Sequence, residues 1–272
     1  MGLRPDEYLI DDSTSTVLTH LSAYGRGYVP RDYSVHPAEM FDPPSGMPLI
    51  PRSEWSARIK ELEETQSRLS DLRLRGNNGQ SIPSLDQNGQ GFCWAYSTTS
   101  CVLATRLVMN QPYVRLSAHA VACMIKGFRD EGGWCGLSAK WHREKGCPSV
   151  EFWPEQSMSR ANDRPATWEN AALHRVTEEW VDLTRDVYDQ GLTFDQVMTC
   201  LLCRIPVAVD FNWWSHSVCA LDPVEVEPGS FGIRIWNSWG DTWSDRGMGV
   251  LRGQKAIPDG AVAIRTSRPS VA

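Results

Sequence analysis

The chain has 272 residues, of which 41% are hydrophobic and 22% are charged, a composition ordinary for a folded globular protein. Its formal net charge of −6 at pH 7 argues against a nucleic-acid-binding surface, which needs a basic face. No apolar run approaches the length of a membrane span, and the first thirty residues show no secretory signal pattern. We therefore expect no nucleic-acid or membrane partner, and a location in the cytoplasm or within an assembled particle.

The N-terminal region is rich in proline, with six prolines between positions 30 and 51. Proline interrupts helices and central strands, so we expect residues 1–52 to form an extended arm. Apolar residues are too frequent in this arm for plain disorder. Three roles stay open for it: an ordered extension packed on the body, an inhibitory prosegment, or an arm that docks the chain into a large protein assembly.

Residues 53–75 have the pattern of an amphipathic helix. Trp55, Ile59 and Leu62 recur at helical spacing, while charged residues fill the other faces. A glycine at position 76 stops the pattern. The pattern favours a helix that docks on the body of the protein, and contact with a large assembly through residues 1–75 is the alternative.

Cys93 follows a glycine-containing loop and opens an apolar run to Met109 that is long enough for a helix. The start of a helix carries unpaired N–H groups and partial positive charge, which stabilise a thiolate over a thiol. A lowered pKa makes a cysteine nucleophilic near neutral pH. The alternative is that Cys93 is one more small buried apolar residue, as free cysteines usually are.

A thiolate nucleophile needs a base, and the base needs a group that orients it. His216 lies in a small, apolar, strand-like run, and Asn237 ends the alternating strand 231–236. The order along the chain is therefore cysteine, histidine, asparagine. His119 also follows Cys93, but we interpret it as a structural histidine.

Short β-prone segments dominate after residue 205, at 206–211, 217–221, 224–226, 231–236 and 249–251. We expect turns at residues 222–223 and 228–230 between them. Helical patterns precede these strands, so the fold class is α+β. The eight cysteines are expected to be reduced thiols, because no secretory signal is present. Cys200 and Cys203 form a C-x-x-C pair without a second pair at zinc-site spacing, so we expect core packing there and no metal.

Two segments, Gln90-Gly91-Phe92-Cys93-Trp94 and Asn237-Ser238-Trp239-Gly240, resemble the active-site segments of the papain-like cysteine peptidases. The resemblance covers residues 71–272. It implies a two-lobe fold, with a helical N-terminal lobe, a β-rich C-terminal lobe and the active-site cleft between them. Residues 76–272 would then be the catalytic domain, and no metal or organic cofactor would be needed.

The resemblance implies four catalytic residues. Cys93 would be the nucleophile and His216 its base, with Asn237 orienting the imidazole. Gln87, six positions before the cysteine, would donate from its side-chain amide to the oxyanion, together with the Cys93 backbone N–H.

Three further residues are implied to shape the substrate site. Trp239 would cover the bond between the histidine and the asparagine and shield it from water. Gly136 would let a substrate main chain pair alongside the protein, although an ordinary turn is the alternative. Trp214 would shape the cleft, although a place in the core of the sheet is equally compatible with the sequence.

Two departures from the family pattern stand out. Gln90 occupies the position of a usual family cysteine, so the disulfide normally made there cannot form. The connection between the strand ending at Val209 and His216 is short, which implies that one wall of the cleft is trimmed or rebuilt. The expected function is hydrolysis of peptide bonds in a peptide or protein substrate. The alternative is a papain-fold structural component of a larger assembly, such as a virus or phage particle, docked through the arm.

Overall fold

A computed structural model describes residues 2–14, 24–37, 48–175, 179–183 and 190–265. In these ranges the chain forms seven α-helices: α1 Arg52–Glu64, α2 Leu69–Arg75, α3 Cys93–Val108, α4 Ala118–Lys126, α5 Cys135–Lys145, α6 Pro165–Leu173 and α7 Gln190–Leu202. None of these helices is long and apolar enough to cross a membrane.

One mixed sheet contains the seven strands of the described ranges: β1 Tyr8–Ile10, β2 Glu179–Asp182, β3 Val207–Phe211, β4 His216–Glu227, β5 Ser230–Trp236, β6 Met248–Arg252 and β7 Gly260–Arg265. The strand order is β1-β6-β5-β4-β3-β7-β2. Only β1 pairs with its neighbour in parallel, and the other pairs are antiparallel. The predicted α+β class is thereby confirmed.

The two faces of the sheet pack into two separate hydrophobic clusters. Successive strand residues point to opposite faces, so Ala208 joins one cluster and Val209 the other. Helix α3 covers the first face, and α1 and α7 contribute to the cluster on the second. Fifteen of the sixteen residues of α3 are buried, which fixes the start of this helix between the sheet and the remaining helices.

Two predicted elements differ from the structure. The helix expected over residues 53–75 is broken into α1 and α2, and Gln66 adopts a positive φ of 49° at the break. The turn expected at residues 222–223 is absent, because β4 runs through it as one strand of twelve residues. A register shift between Ala220 and Asp222 accommodates the proline within the strand.

The described parts of the N-terminal arm lie against the body of the protein. We call residues 2–14 the anchor segment, because β1 within it pairs with β6 and Glu7 enters the core. There Arg234, which is fully buried, contacts Glu7 at 2.6 Å and Asp222 at 3.2 Å. Residue 1 and residues 15–23 and 38–47 of the arm lie outside the described ranges.

All eight cysteines lie in the described part of the chain, and all are free thiols, as expected. Seven of them are buried, and only Cys203 is exposed. Cys200, on α7, is packed in the hydrophobic core, whereas Cys203 lies just beyond the end of this helix. The exposed thiol therefore differs from the other seven in its access to solvent.

Candidate active site

Cys93 is the first residue of α3, where the loop 87–92 enters the buried helix. No side chain caps this end of the helix, so its orphan N–H groups are left to main chain and ligands. The thiol is fully buried, and burial raises the pKa of Cys93 to about 11. The polar groups of Ser217 act in the opposite direction and favour the thiolate. Ser217 directly follows His216 on β4, so Cys93, the predicted nucleophile, lies near His216, the predicted base.

His216 and Asn237 are brought together by the pairing of β4 with β5. His216 is the first residue of β4, and Asn237 directly follows β5. The Nε2–H group of His216 donates to Oδ1 of Asn237 at 2.8 Å. This bond leaves Nδ1 as the acceptor of the neutral imidazole, and Nδ1 has no hydrogen-bond partner among the described residues. The ring is therefore held by one nitrogen and can accept a proton at the other.

Two tryptophans enclose the imidazole of His216. The Trp239 ring stacks on it with centroids 4.5 Å apart, and the Trp214 ring meets it edge-on at 5.0 Å. Both indoles are buried in the cluster on the second sheet face. Because they exclude water, the bond between His216 and Asn237 lies in a low-dielectric environment, where hydrogen bonds are stronger.

Gln87 is oriented by Ser238, a residue that the sequence analysis did not single out. The Ser238 hydroxyl donates to Oε1 of Gln87 at 2.6 Å, and the Gln87 N–H donates to the Ser238 carbonyl at 3.0 Å. The amide nitrogen Nε2 therefore points away from Ser238 and donates to the carbonyl of Gly25 at 2.9 Å. The contacts with Ser238 therefore hold the Gln87 side chain in an orientation in which its amide donates to a carbonyl oxygen.

That carbonyl belongs to a segment of the arm that fills the site. We call residues 24–29 the strap. The Gly27 N–H donates to Cys93 Sγ at 3.3 Å, and the Gly25 carbonyl also accepts from the Trp239 indole at 3.1 Å. Gly133 donates to the Gly27 carbonyl at 2.8 Å and accepts from the Val29 N–H at 2.9 Å. The strap therefore binds the Cys93 thiol and pairs with the main chain of Gly133.

The glycines of the strap are required by its close approach to loop 87–92. A Cβ atom on Gly27 would lie 1.9 Å from the Gly91 carbonyl oxygen, and one on Gly25 would lie 2.3 Å from the Gly89 carbonyl carbon. These neighbours are backbone atoms, which cannot move aside like a flexible side chain. Only glycine fits at either position without displacing the strap or the loop.

Burial keeps the site uncharged while the strap is in place. Burial lowers the pKa of His216 to about 3, against the raising effect of its bond to Asn237. Burial also raises the pKa of Cys93, so at neutral pH the covered pair is a thiol and a neutral imidazole. The thiolate–imidazolium pair that nucleophilic attack requires needs water or substrate in place of the strap.

A buried carboxylate lies next to the nucleophile. Asp210 on β3 accepts from the Ser217 hydroxyl, from the Cys135 thiol at 3.0 Å and from the Cys135 N–H at 3.2 Å. Burial raises the pKa of Asp210 to about 6 in spite of these donors. In the described part of the chain no cationic side chain forms an ion pair with it, because the guanidinium of Arg31 pairs with Asp182 at 2.5 Å.

The structure places some of the predicted site residues at the site and others away from it. Asn237 bonds His216, its neighbour Ser238 bonds Gln87, and Cys93 lies beside Ser217 on the strand of His216. Trp239 stacks on the imidazole. Gly136 lies inside α5, away from the strap, because that helix already begins at Cys135. Gly133, in the turn before the helix, makes the main-chain pairing that was assigned to Gly136. Trp214 is fully buried against the imidazole and belongs to the core.

The strands around the base confirm that the connection to His216 is short. β3 ends at Phe211 and β4 begins at His216, so four residues join them. Ser215 in this connection adopts a positive φ of 49°. His119 is buried and bonds the Tyr96 hydroxyl through Nδ1 at 2.6 Å, as befits a structural histidine.

No protein-family model matches the chain. Zingipain-2 from Zingiber officinale is 23% identical over 209 residues, which cover 69% of this chain and 89% of that protein. Xylellain, a cysteine protease from Xylella fastidiosa, has a similar structure, with a TM-score of 0.60 and 15% identity over 90% of this chain and 97% of its own. The structure of recombinant stem bromelain precursor matches with a TM-score of 0.61 and 16% identity over 97% of this chain and 84% of its own. These similarities confirm the predicted resemblance to papain-like cysteine peptidases.

Proposed function

We propose that this chain, which resembles papain-like cysteine peptidases in fold and sequence, hydrolyses peptide bonds with Cys93 as the nucleophile. The observation that carries the proposal is the state of His216, which is held at Nε2 by Asn237 and has an open acceptor at Nδ1. Such a ring can take the thiol proton without losing its orientation. Gln87 supports the proposal, because its amide is preset to donate to a carbonyl oxygen.

In the first half of the reaction the thiol proton moves to Nδ1 of His216, and the thiolate attacks the substrate carbonyl carbon. The carbonyl oxygen becomes an anion, which accepts from Nε2 of Gln87 and from the Cys93 N–H. The imidazolium then gives its proton to the leaving amine, and the C–N bond breaks. The product of this half is a thioester on Cys93.

In the second half a water molecule replaces the leaving amine. His216 takes one proton from the water at Nδ1, and the resulting hydroxide attacks the thioester carbon. The C–S bond breaks, the thiolate returns and the acid product leaves. Asn237 keeps the ring in one orientation through both halves, and Trp239 keeps water away from the bond between them.

We further propose that the strap keeps the enzyme inactive at rest, because it occupies the thiol, the Gln87 donor and Gly133 at once. The chain on both sides of the strap is attached to opposite edges of the sheet. β1 pairs at one edge, and Arg31 binds Asp182 of β2 at the other. Activity then requires the strap to lift while these attachments remain. A cut within the strap is the alternative route to the same open site.

The test measures alkylation of Cys93 by a peptidyl epoxide with intact-protein and peptide mass spectrometry. We compare the wild type with Gly27→Ala, in which the new Cβ clashes with Gly91 and displaces the strap. The expected result is an adduct on Cys93 that forms slowly in the wild type and at least about tenfold faster in Gly27→Ala. His216→Ala in the Gly27→Ala background should return the rate to that of an ordinary thiol.

Two controls accompany this measurement. Cys203 is exposed and serves in the same molecule as the reference for an unactivated thiol. Gly79→Ala is a glycine substitution at a positive φ that faces open space, so it controls for a general loss of stability. Equal labelling of Cys93 and Cys203 in the Gly27→Ala protein, unaffected by His216→Ala, would contradict the proposed function.

The structural-component hypothesis remains the second candidate. The described arm residues are engaged with the body of the same chain, which favours a regulatory arm over a free docking arm. Co-sedimentation of the intact chain with a large assembly, lost on deletion of residues 1–52, would reverse this preference.

A further inference from the structure

The side chain of Tyr28 occupies a pocket beside the proposed catalytic thiol. Tyr28 is the strap residue that faces Gly133, and its own N–H donates to the Ser215 carbonyl at 3.2 Å. Its ring is 8% exposed and packs in the cluster that contains Cys93 and Cys135. A substrate strand that replaces the strap and pairs with Gly133 would place one of its side chains in this pocket.

Asp210 lies beside the residues that hold Tyr28. It binds Cys135 and Ser217. These residues lie two positions after Gly133 and Ser215, which hold the Tyr28 main chain. The charge of Asp210 also acts on the Tyr28 hydroxyl and contributes to its raised pKa, after the larger effect of burial. The Tyr28 hydroxyl and the Asp210 carboxylate therefore interact electrostatically.

The residues that flank Asp210 on the neighbouring strands are small. Its cross-strand neighbours on β4 and β7 are Ser217 and Gly260, two of the smallest residues. A Cβ atom on Gly260 would already lie 3.1 Å from Oδ2 of Asp210. In the described part of the chain the carboxylate has three neutral donors and no ion pair, although it is only 4% exposed and the charge of Arg31 acts on it. A buried carboxylate of this kind gains most from a cationic partner.

We propose that Asp210 determines substrate specificity and makes the enzyme select peptides with arginine or lysine at the residue that pairs with Gly133. The aliphatic stem of such a side chain lies where the Tyr28 ring now packs, and its charged end meets Asp210. This inference rests on the proposed peptidase function. Tyr28 fills the same space without a charge, so the strap holds the site less tightly than a basic substrate does.

The first test profiles the full chain carrying Gly27→Ala with fluorogenic peptides that contain arginine, leucine or glutamate at each position in turn. At one position arginine should exceed leucine in kcat/KM by about 10–100-fold, the effect of one charge-assisted hydrogen bond. Asp210→Asn should remove this preference, because kcat/KM for the arginine peptide falls to that for the leucine peptide. Asp259→Asn, a change of another carboxylate whose charge acts on Tyr28, should preserve the preference.

The second test needs no turnover and uses the strap as the ligand. In the otherwise intact chain, Tyr28→Arg should slow alkylation of Cys93 by iodoacetamide about tenfold relative to Tyr28→Leu. Asp210→Asn should abolish that difference. Peptide cleavage without a preference for a basic residue, or an unchanged preference in Asp210→Asn, would overturn this inference and leave the peptidase function intact. No cleavage of any peptide and no activated Cys93 would overturn both.

Discussion

The anchor segment is attached to the body by side-chain ion pairs in addition to the pairing of β1 with β6, whereas the strap is held at the site by hydrogen bonds of its main chain. Glu7 reaches the buried Arg234, and Arg4 binds Asp71 at 3.1 Å. The strap is bound through N–H and C=O groups of its glycines, which meet a thiol, a side-chain amide and Gly133. One arm thus combines two modes of binding.

The difference supports the proposal that the strap can leave the site while the anchor segment stays in place. A buried ion pair is specific to its partners, and no solvent or substrate group replaces it easily. Main-chain hydrogen bonds, by contrast, can be made equally well by any peptide strand. In the proposed function the strap therefore competes with substrate for the same main-chain contacts, while the anchor segment keeps it close to the cleft.

The largest expected effect concerns the anchor segment. Arg234→Ala removes the cation that forms ion pairs with both Glu7 and Asp222 in the core. We expect the free energy of unfolding to fall by about 3–5 kcal/mol, the usual cost of breaking a buried ion pair. Urea denaturation followed by tryptophan fluorescence measures it. A loss below about 1 kcal/mol would mean that the anchor segment is not packed on the core in solution.

The next effect concerns Gln87, which binds the strap and is the proposed donor to the substrate. Gln87→Ala removes the donor to the Gly25 carbonyl and the proposed donor to the oxyanion. In the Gly27→Ala background kcat should fall by about 10²–10³. In the otherwise wild-type chain the same change should speed alkylation of Cys93, because the strap has lost a bond. Effects of the same sign in both measurements would show that the strap does not use the substrate's contacts.

The sequence predicted the parts of the site that lie in short contiguous segments. Cys93, Asn237 and Gln87 could be proposed from the sequence because each lies in a short segment whose residue types suit the chemistry. His216 was found because it is one of six histidines and lies in a strand-like run. These signals depend on the local sequence and can be recognised without knowledge of the tertiary structure.

The remainder depends on contacts between distant residues. Gly27 meets Cys93 across 66 positions, and nothing near Gly27 indicates that partner. The surroundings of Asp210 require the registers of three strands, and a slip of one residue would turn the carboxylate to the other face. Gly136 was preferred to Gly133 because the start of α5 at Cys135 could not be located from a turn rich in glycine.

The pH dependence of stability also separates strap from anchor segment, because the strap closes over His216. The pKa of this histidine is about 3 in the folded chain and near 6.5 when unfolded, so the unfolded chain binds the extra proton between these values. The free energy of unfolding therefore falls as the pH drops below 6.5, by about 2 kcal/mol between pH 7 and pH 5 for this group. In Gly27→Ala, where His216 meets water, this part of the loss should vanish.

Urea unfolding of both proteins at the two pH values measures this difference. His142, whose pKa burial lowers to about 3, and His119, at about 4, titrate alike in both proteins and cancel. Equal losses in the wild type and in Gly27→Ala would mean that the strap does not cover the imidazole in solution.

The smallest effect is expected at the rim of the anchor segment. Arg252 contacts Asp11 at 2.6 Å and Glu227 at 3.0 Å, and its side chain is 22% exposed. Hydrogen bonds from Ser13 and Arg252 lower the pKa of Asp11, but ion pairs open to solvent contribute little to stability. Arg252→Ala should reduce the free energy of unfolding by about 1 kcal/mol or less and leave alkylation of Cys93 unchanged. A faster alkylation in this variant would mean that the rim of the anchor segment, and not only its buried ion pair, holds the strap in the cleft.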